Sequence, residues 1–152
     1  IPWWRYVLYE SGKEKVPIHQ EIDFIKNYIN LEKLKFSDSN APQIKCYFSL
    51  LNENYAVEPL LFITLIENAF KHGISYVTPS FILISFTENN DEILLSVINS
   101  VGKRDGENIN TNKTGVGLKN LKKRLELLYP GKHRFKQIYE NSTFKSFLKI
   151  KK

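Results

Sequence analysis

The stretch Glu67-Asn68-Ala69-Phe70-Lys71-His72-Gly73 directly follows an apolar run, Leu60-Leu61-Phe62-Ile63-Thr64-Leu65-Ile66. The run reads as a buried helix and the heptad as its polar last turn and a half. Spacings of one, three and four residues group Glu67, Asn68, Lys71 and His72 at one helix end. A carboxylate, an amide oxygen, an ammonium and an imidazole are what a magnesium-phosphate site needs. Gly73 stops the helix, as glycine does just beyond a C-terminus. The same residues also suit an ordinary helix end, where lysine and histidine complement the negative pole of the helix dipole. Taken alone, the heptad leaves both readings open.

Around it, 152 residues suffice for one domain, or one domain with a helical arm. A hydrophobic content of 42% and a charged content of 25% suit a soluble globular chain with a real core. No stretch approaches the roughly 20 apolar residues of a membrane span. The start, Ile1-Pro2-Trp3-Trp4-Arg5, has neither an initiator Met nor the shape of a signal peptide, so the chain reads as a piece of something longer. A single cysteine excludes an internal disulfide and suits a reducing compartment. Cys46 alternates with Ile44, Phe48 and Leu50, which predicts a core position on a strand. The net charge of +6 favours polyanionic partners. The aromatics, however, fall mostly on apolar stripes expected in the core, so a nucleic-acid partner is not expected.

Along the chain, Ile18, Ile22, Ile25 and Ile29, with Phe24, Tyr28 and Leu31 beside them, give a helical stripe to about Phe36. Pro17 suits its first turn. Strands are expected at about 43–50, near Tyr55–Val57, at 81–87 and 93–99, and at 133–140 and 143–150. Asn89-Asn90-Asp91 and Asn141-Ser142 are turn material between successive strands. Pro59 is expected to open the helix that carries the heptad. Residues 100–114 are polar and glycine-containing, which predicts a loop. Leu118, Leu121, Leu125 and Leu128 then predict a helix over Gly115–Tyr129, ended by Pro130-Gly131. The order helix, strand, helix, two strands, loop, helix, two strands predicts an α+β, two-layer sandwich: a mixed sheet with helices on one face, preceded by an N-terminal helix.

A second chemical signal is Thr114-Gly115-Val116-Gly117-Leu118-Lys119-Asn120, where the polar loop meets that helix. Glycines there let the backbone approach a ligand, and the exposed N–H groups of a helix start favour phosphate. The pattern is neither a P-loop nor a dinucleotide fingerprint, because the required Gly-Lys-Ser/Thr and the preceding strand are both missing.

In this order and at this spacing, the two signals resemble the ATP-binding domain of sensor histidine kinases, with the Bergerat fold of the GHKL superfamily. More narrowly they resemble the LytS/YehU type. Glu67 through Gly73 is similar to that family's N box, and Gly115-Val116-Gly117-Leu118-Lys119-Asn120 to its last glycine box. Lys15-Val16-Pro17-Ile18 through Leu34-Lys35-Phe36 resembles the linker helix that precedes the domain. The resemblance implies that residues 1–36 are the end of a dimerisation region plus the linker, and 37–152 the ATP-binding domain.

It further implies ATP and Mg2+ as cofactors, with Asn68 on the metal and Lys71 and His72 on phosphate. Glu67 would orient groups near the metal, Lys71 would act as a fixed charge, and the backbone from Thr114 through Leu118, with Gly73, would line the nucleotide. Residues 100–114 would form a lid. The implied partners are ATP, a second copy joined through upstream helices, and a response regulator. The parent protein would be anchored in the inner membrane with this domain in the cytoplasm.

Two departures matter. Where the family places an Asp that accepts the adenine amino group, this chain has Asn99-Ser100-Val101-Gly102, so the acceptor is neutral and the bond weaker. None of His19, His72 and His133 stands in the context of a phosphoacceptor, which would lie before residue 1. A non-catalytic scaffold of the same fold is the alternative that Asn99 raises.

Overall fold

The computed structural model describes residues 15–36, 41–74, 79–101 and 116–152. Its centre is a five-stranded sheet made of β2 (Gln43–Ser49), β4 (Phe81–Glu88), β5 (Glu92–Ser100), β7 (Thr143–Lys151) and β6 (His133–Glu140), in that spatial order. β2 and β4 are parallel, and the other three pairs are antiparallel. The sheet is mixed because the chain between β2 and β4 crosses over through a helix, whereas tight turns join β4 to β5 and β6 to β7. In the first turn Asn89 Oδ1 accepts the N–H groups of Asp91 and Glu92 at 2.8 and 2.9 Å. In the second, Asn141 and Ser142 take φ of 53° and 58°, the doubly positive geometry that matches strand twist in a two-residue hairpin.

Strand alternation fixes which face is covered. Ile82, Ile84 and Phe86 on β4, Ile93, Leu95 and Val97 on β5, and Leu148 and Ile150 on β7 are all buried. Three helices cover that face: α1 (Ile18–Lys33), α2 (Ile63–His72) and α3 (Val116–Leu128). α1 contributes Ile18, Ile22, Ile25 and Ile29, and α3 contributes Leu118, Leu121 and Leu125, to one continuous core. Phe62, just before α2, meets Phe86 edge to face at 4.9 Å. The expected sandwich of mixed sheet and helices is therefore the fold. A small addition is the antiparallel ribbon of β1 (Val16–Pro17) and β3 (Ala56–Val57).

Four local expectations are corrected. Cys46 is exposed, on the edge strand β2, which has a neighbouring strand on one side only. Leu31 and Leu128 are exposed; Tyr129 fills the core position at the end of α3 instead. The helix after Pro59 begins only at Ile63.

The reason for that late start is Leu60, whose φ of 62° is left-handed and cannot continue a helix. Glu21 of α1, fully buried, accepts the Leu60 N–H at 3.0 Å. Arg124 of α3 donates to the Pro59 carbonyl at 2.9 Å and the Leu60 carbonyl at 3.3 Å. Bonds to charged groups contribute about 1.5–3 kcal/mol each. Together they offset the ~1–2 kcal/mol of a left-handed non-glycine residue.

The opposite kind of anchor closes the sheet edge. Glu88, buried at the end of β4, accepts the Leu51 and Asn52 N–H groups at 2.6 and 2.7 Å and the Lys152 ammonium. That ammonium also lies 4.2 Å from the Tyr55 ring centre. Burial raises the Glu88 pKa, but Lys152 and the two N–H groups outweigh it and hold the carboxyl below its usual range. Because the folded value is depressed, this stabilisation is fully present above the unfolded pKa of about 4.3 and is lost as pH falls through the folded value. Glu88→Ala should cost about 3 kcal/mol in denaturant unfolding at pH 7, since it strands the ammonium, and should flatten the acid limb of the stability curve. Parallel acid limbs for variant and parent would show that Glu88 is not the titrating anchor.

Candidate functional site

The residues singled out from the sequence sit on the C-terminal half of α2 and on what packs against it. Thr64, Asn68 and Lys71 share one face by their spacings of four and three. Glu67 and Asn68 are half-buried, and Lys71 and His72 are exposed at the helix end.

Gly73 closes α2 with φ −91° and ψ −2°, so no left-handed turn demands glycine here. Its N–H donates to the Ala69 carbonyl at 2.7 Å. The demand is steric. A Cβ on Gly73 would lie 2.5 Å from the Ala69 oxygen and 2.8 Å from Asn99 Cβ. The end of α2 and the end of β5 thus touch through the missing side chain.

Asn99 is buried in that seam. Its Nδ2 donates to the Ser100 carbonyl at 3.0 Å, which fixes the amide orientation and leaves Oδ1 as the acceptor. The neighbouring Ser100 locks the same junction. Its hydroxyl donates to the Gly73 carbonyl at 3.2 Å and accepts the Phe81 N–H at 2.9 Å.

From the other side, α3 begins against α2. A Cβ on Gly117 would stand 3.4 Å from Thr64 Cγ2, on the face that carries Asn68 and Lys71. Leu118 turns into the core. Val116 is the first residue of α3, while Thr114 and Gly115, with residues 102–113 of the expected lid, lie outside the described residues; Ser100, expected to open that loop, is instead the last residue of β5.

Sequence reasoning missed what α1 adds. Tyr28 meets Phe70 of α2 edge to face at 5.8 Å. Burial pushes the Tyr28 phenol pKa up, and the Glu32 and Glu67 carboxylates push it further, with a hydrogen bond to Glu32. Burial likewise raises the Glu67 carboxyl, and the Glu32 charge adds to it. Glu32 itself pairs with Lys35 at 2.9 Å. The spacing of four between Tyr28 and Glu32 on one helix face was the available signal, but which helix they meet is tertiary information.

Among the described residues no group of three or more His, Cys, Asp or Glu could hold a metal ion. A magnesium-phosphate complex needs none, since Mg2+ typically takes one or two protein oxygens and completes its shell with phosphate and water. The half-buried Asn68 amide beside two exposed basic side chains fits that donor set.

A family profile described as "Histidine kinase" matches residues 3–40. The chain is 27% identical to the sensor protein LytS of Oceanobacillus iheyensis, over 76% of this chain and 21% of that one. It therefore spans about a fifth of the length of this curated relative. Among solved structures, the catalytic domain of the histidine kinase ThkA superposes with a TM-score of 0.61 at 18% identity, covering 91% of this chain and 96% of that one. The histidine kinase domain of the blue-light activated kinase EL346 of Erythrobacter litoralis gives 0.62 at 12% identity, covering 96% and 74%. At such identities these two likenesses concern the fold. Together with the sequence relative, they make the chain similar in sequence to a LytS-type sensor protein and alike in fold to the catalytic domains of histidine kinases.

Proposed function

We propose that this chain binds Mg-ATP and supplies the catalytic half of a histidine autokinase. The observation that carries the reading is the convergence of two distant segments on α2: Asn99 against Gly73, and Gly117 against Thr64, one turn from Asn68. Asn99 Oδ1 would accept the adenine amino group, and the backbone entering α3 would lie along the phosphates, where helix-start N–H groups favour anions. Lys71 and His72 would contact phosphate oxygens as Asn68 holds the metal. Bound Mg2+ would neutralise charge on the phosphate chain. Glu67, on α2 and near Glu32 of α1, would orient groups around Asn68.

In the reaction the bond between the γ-phosphorus and the β,γ-bridging oxygen breaks and a phosphorus–nitrogen bond forms to a histidine imidazole. ADP departs with the electron pair, and the imidazole proton passes to solvent. The acceptor histidine belongs to an upstream helix, and a response regulator would take the phosphoryl next. Dimerisation through upstream helices and a membrane-anchored parent, with this domain in the cytoplasm, complete the proposal. Among the described residues no helix is long and apolar enough to cross a membrane.

Calorimetric titration should give Mg-dependent ATP binding that Asn68→Ala removes, with folding intact by circular dichroism. Because a carboxylate accepts a hydrogen bond about twice as strongly as a neutral oxygen, Asn99→Asp should tighten ATP severalfold. Unchanged or weaker binding would remove Asn99 from the adenine site. Gly73→Ala forces Cβ into Asn99 and should lower stability by about 1–3 kcal/mol while weakening ATP. Incubated with γ-labelled ATP, the 152-residue chain should remain unlabelled. His133, whose Nδ1–H donates to the Tyr129 carbonyl at 2.7 Å, is committed elsewhere, and label on any of the three histidines would contradict an upstream acceptor.

A further inference from the structure

The face of the sheet opposite the helices carries a pattern that the nucleotide site does not use. Strand register sets its outward rows. Lys45, Leu83, Ile98 and Lys145 stand side by side across β2, β4, β5 and β7. The next row is Tyr47, Ser85, Ser96 and Phe147. Leu83 is 37% exposed and Tyr47 61%. Between these rows lies an open hollow of about 250 Å³, walled by Tyr47, Leu83 and Ile98, with Ser85 and Ser96 and with Lys45 at its rim.

The charge on this face is lopsided. Lys45, Arg134, Lys136, Lys145, Lys149 and Lys151 point outward by register, against Glu92 and Glu140. This excess of four positive charges is most of the chain's net +6. Lys149 is partly neutralised by Glu92 at 3.3 Å. Among the described residues Lys45 and Lys145 have no carboxylate within ion-pair distance.

We infer that this face docks an acidic polypeptide segment, with one apolar side chain in the hollow and carboxylates on Lys45 and Lys145. Dimensions define the segment. Three inter-strand steps of about 4.8 Å separate Lys45 from Lys145, roughly 14 Å in all. An extended peptide rises about 3.3 Å per residue, so carboxylates four residues apart span roughly 13 Å. The residue midway between them faces the same side and meets Leu83 and Ile98. The ligand class is therefore an extended acidic–x–apolar–x–acidic segment.

Other occupants fit less well. A hollow of this size falls below the ~300–1,000 Å³ of small-molecule pockets. A second copy of this chain would bring the same positive charge. A single strand of nucleic acid wants several stacking platforms along a continuous basic track, and the outward aromatics of these rows are only Tyr47 and Phe147. A bilayer wants protruding apolar groups, whereas Leu83 and Ile98 form the walls of a hollow.

The test is titration of the isotope-labelled 152-residue chain with a peptide of sequence Gly-Glu-Ser-Phe-Ser-Glu-Gly, capped at both ends. Saturable amide shifts centred on residues 83, 98 and 145 are expected, weakening with salt. Replacing the central Phe of the peptide by Ser should weaken binding roughly tenfold or more. The double variant Lys45→Glu, Lys145→Glu should abolish the shifts while leaving ATP affinity unchanged, which separates this surface from the nucleotide site. Three results would overturn the inference: no saturable shifts, equal binding of the Ser peptide, or shifts mapping off this face. Tighter binding at the same residues by oligo-dT, or by phosphatidylglycerol vesicles, would reassign the face to nucleic acid or membrane.

Discussion

Three helices are tied to one another at a single left-handed residue. Leu60 cannot sit within a helix, and its backbone polar groups are turned inward among buried neighbours, where each must find a partner. Glu21 of α1 takes the N–H, and Arg124 of α3 takes the carbonyl and that of Pro59. An apolar contact could slide, but hydrogen bonds to a buried carboxylate and a guanidinium are directional and fix the register. The start of α2, and with it the position of Asn68 and Lys71, is therefore set jointly by the helices on either side.

The other end of α2 is fixed by shape rather than charge. Gly73 is pressed against Asn99, and the Ser100 hydroxyl bridges Gly73 to β4. Both ends of the helix that bears the proposed site are thus clamped. α1 adds a further tie, through Tyr28 and Glu32, to the very turn that bears Glu67. α1 therefore packs directly on the turn that bears Glu67.

The two faces of the sheet divide the labour. One is buried beneath the helices that carry the proposed nucleotide site. The other is left open, apolar at its centre and basic at its margin. Open sheet faces of antiparallel character are common, but they are ordinarily polar. Here Leu83, Ile98 and Phe147 occupy outward positions that solvent alone would not favour.

Much of this was legible before folding. Periods of 3.6 and 2 residues located the three helices and the five long strands, because burying one face of each leaves that imprint. The two glycine-bearing boxes were recognisable because their chemistry is local. Where the periodic reading failed, the cause lay elsewhere in the chain. Cys46 alternates like a core residue, yet it lies on the edge strand β2 and is exposed. Pro59 looked like a helix start, but Glu21 and Arg124 stabilise a turn there instead. Gly73 was expected for its backbone freedom and is needed for its missing Cβ. The sequence by itself determined the elements, their covered faces and the residue types of the site, since these depend on neighbours one turn or two residues away. Only tertiary structure decided that Asn99 meets Gly73, that Gly117 meets Thr64 and that the outward lysines flank an apolar hollow. Those are contacts between residues far apart in the chain, and no local period records them.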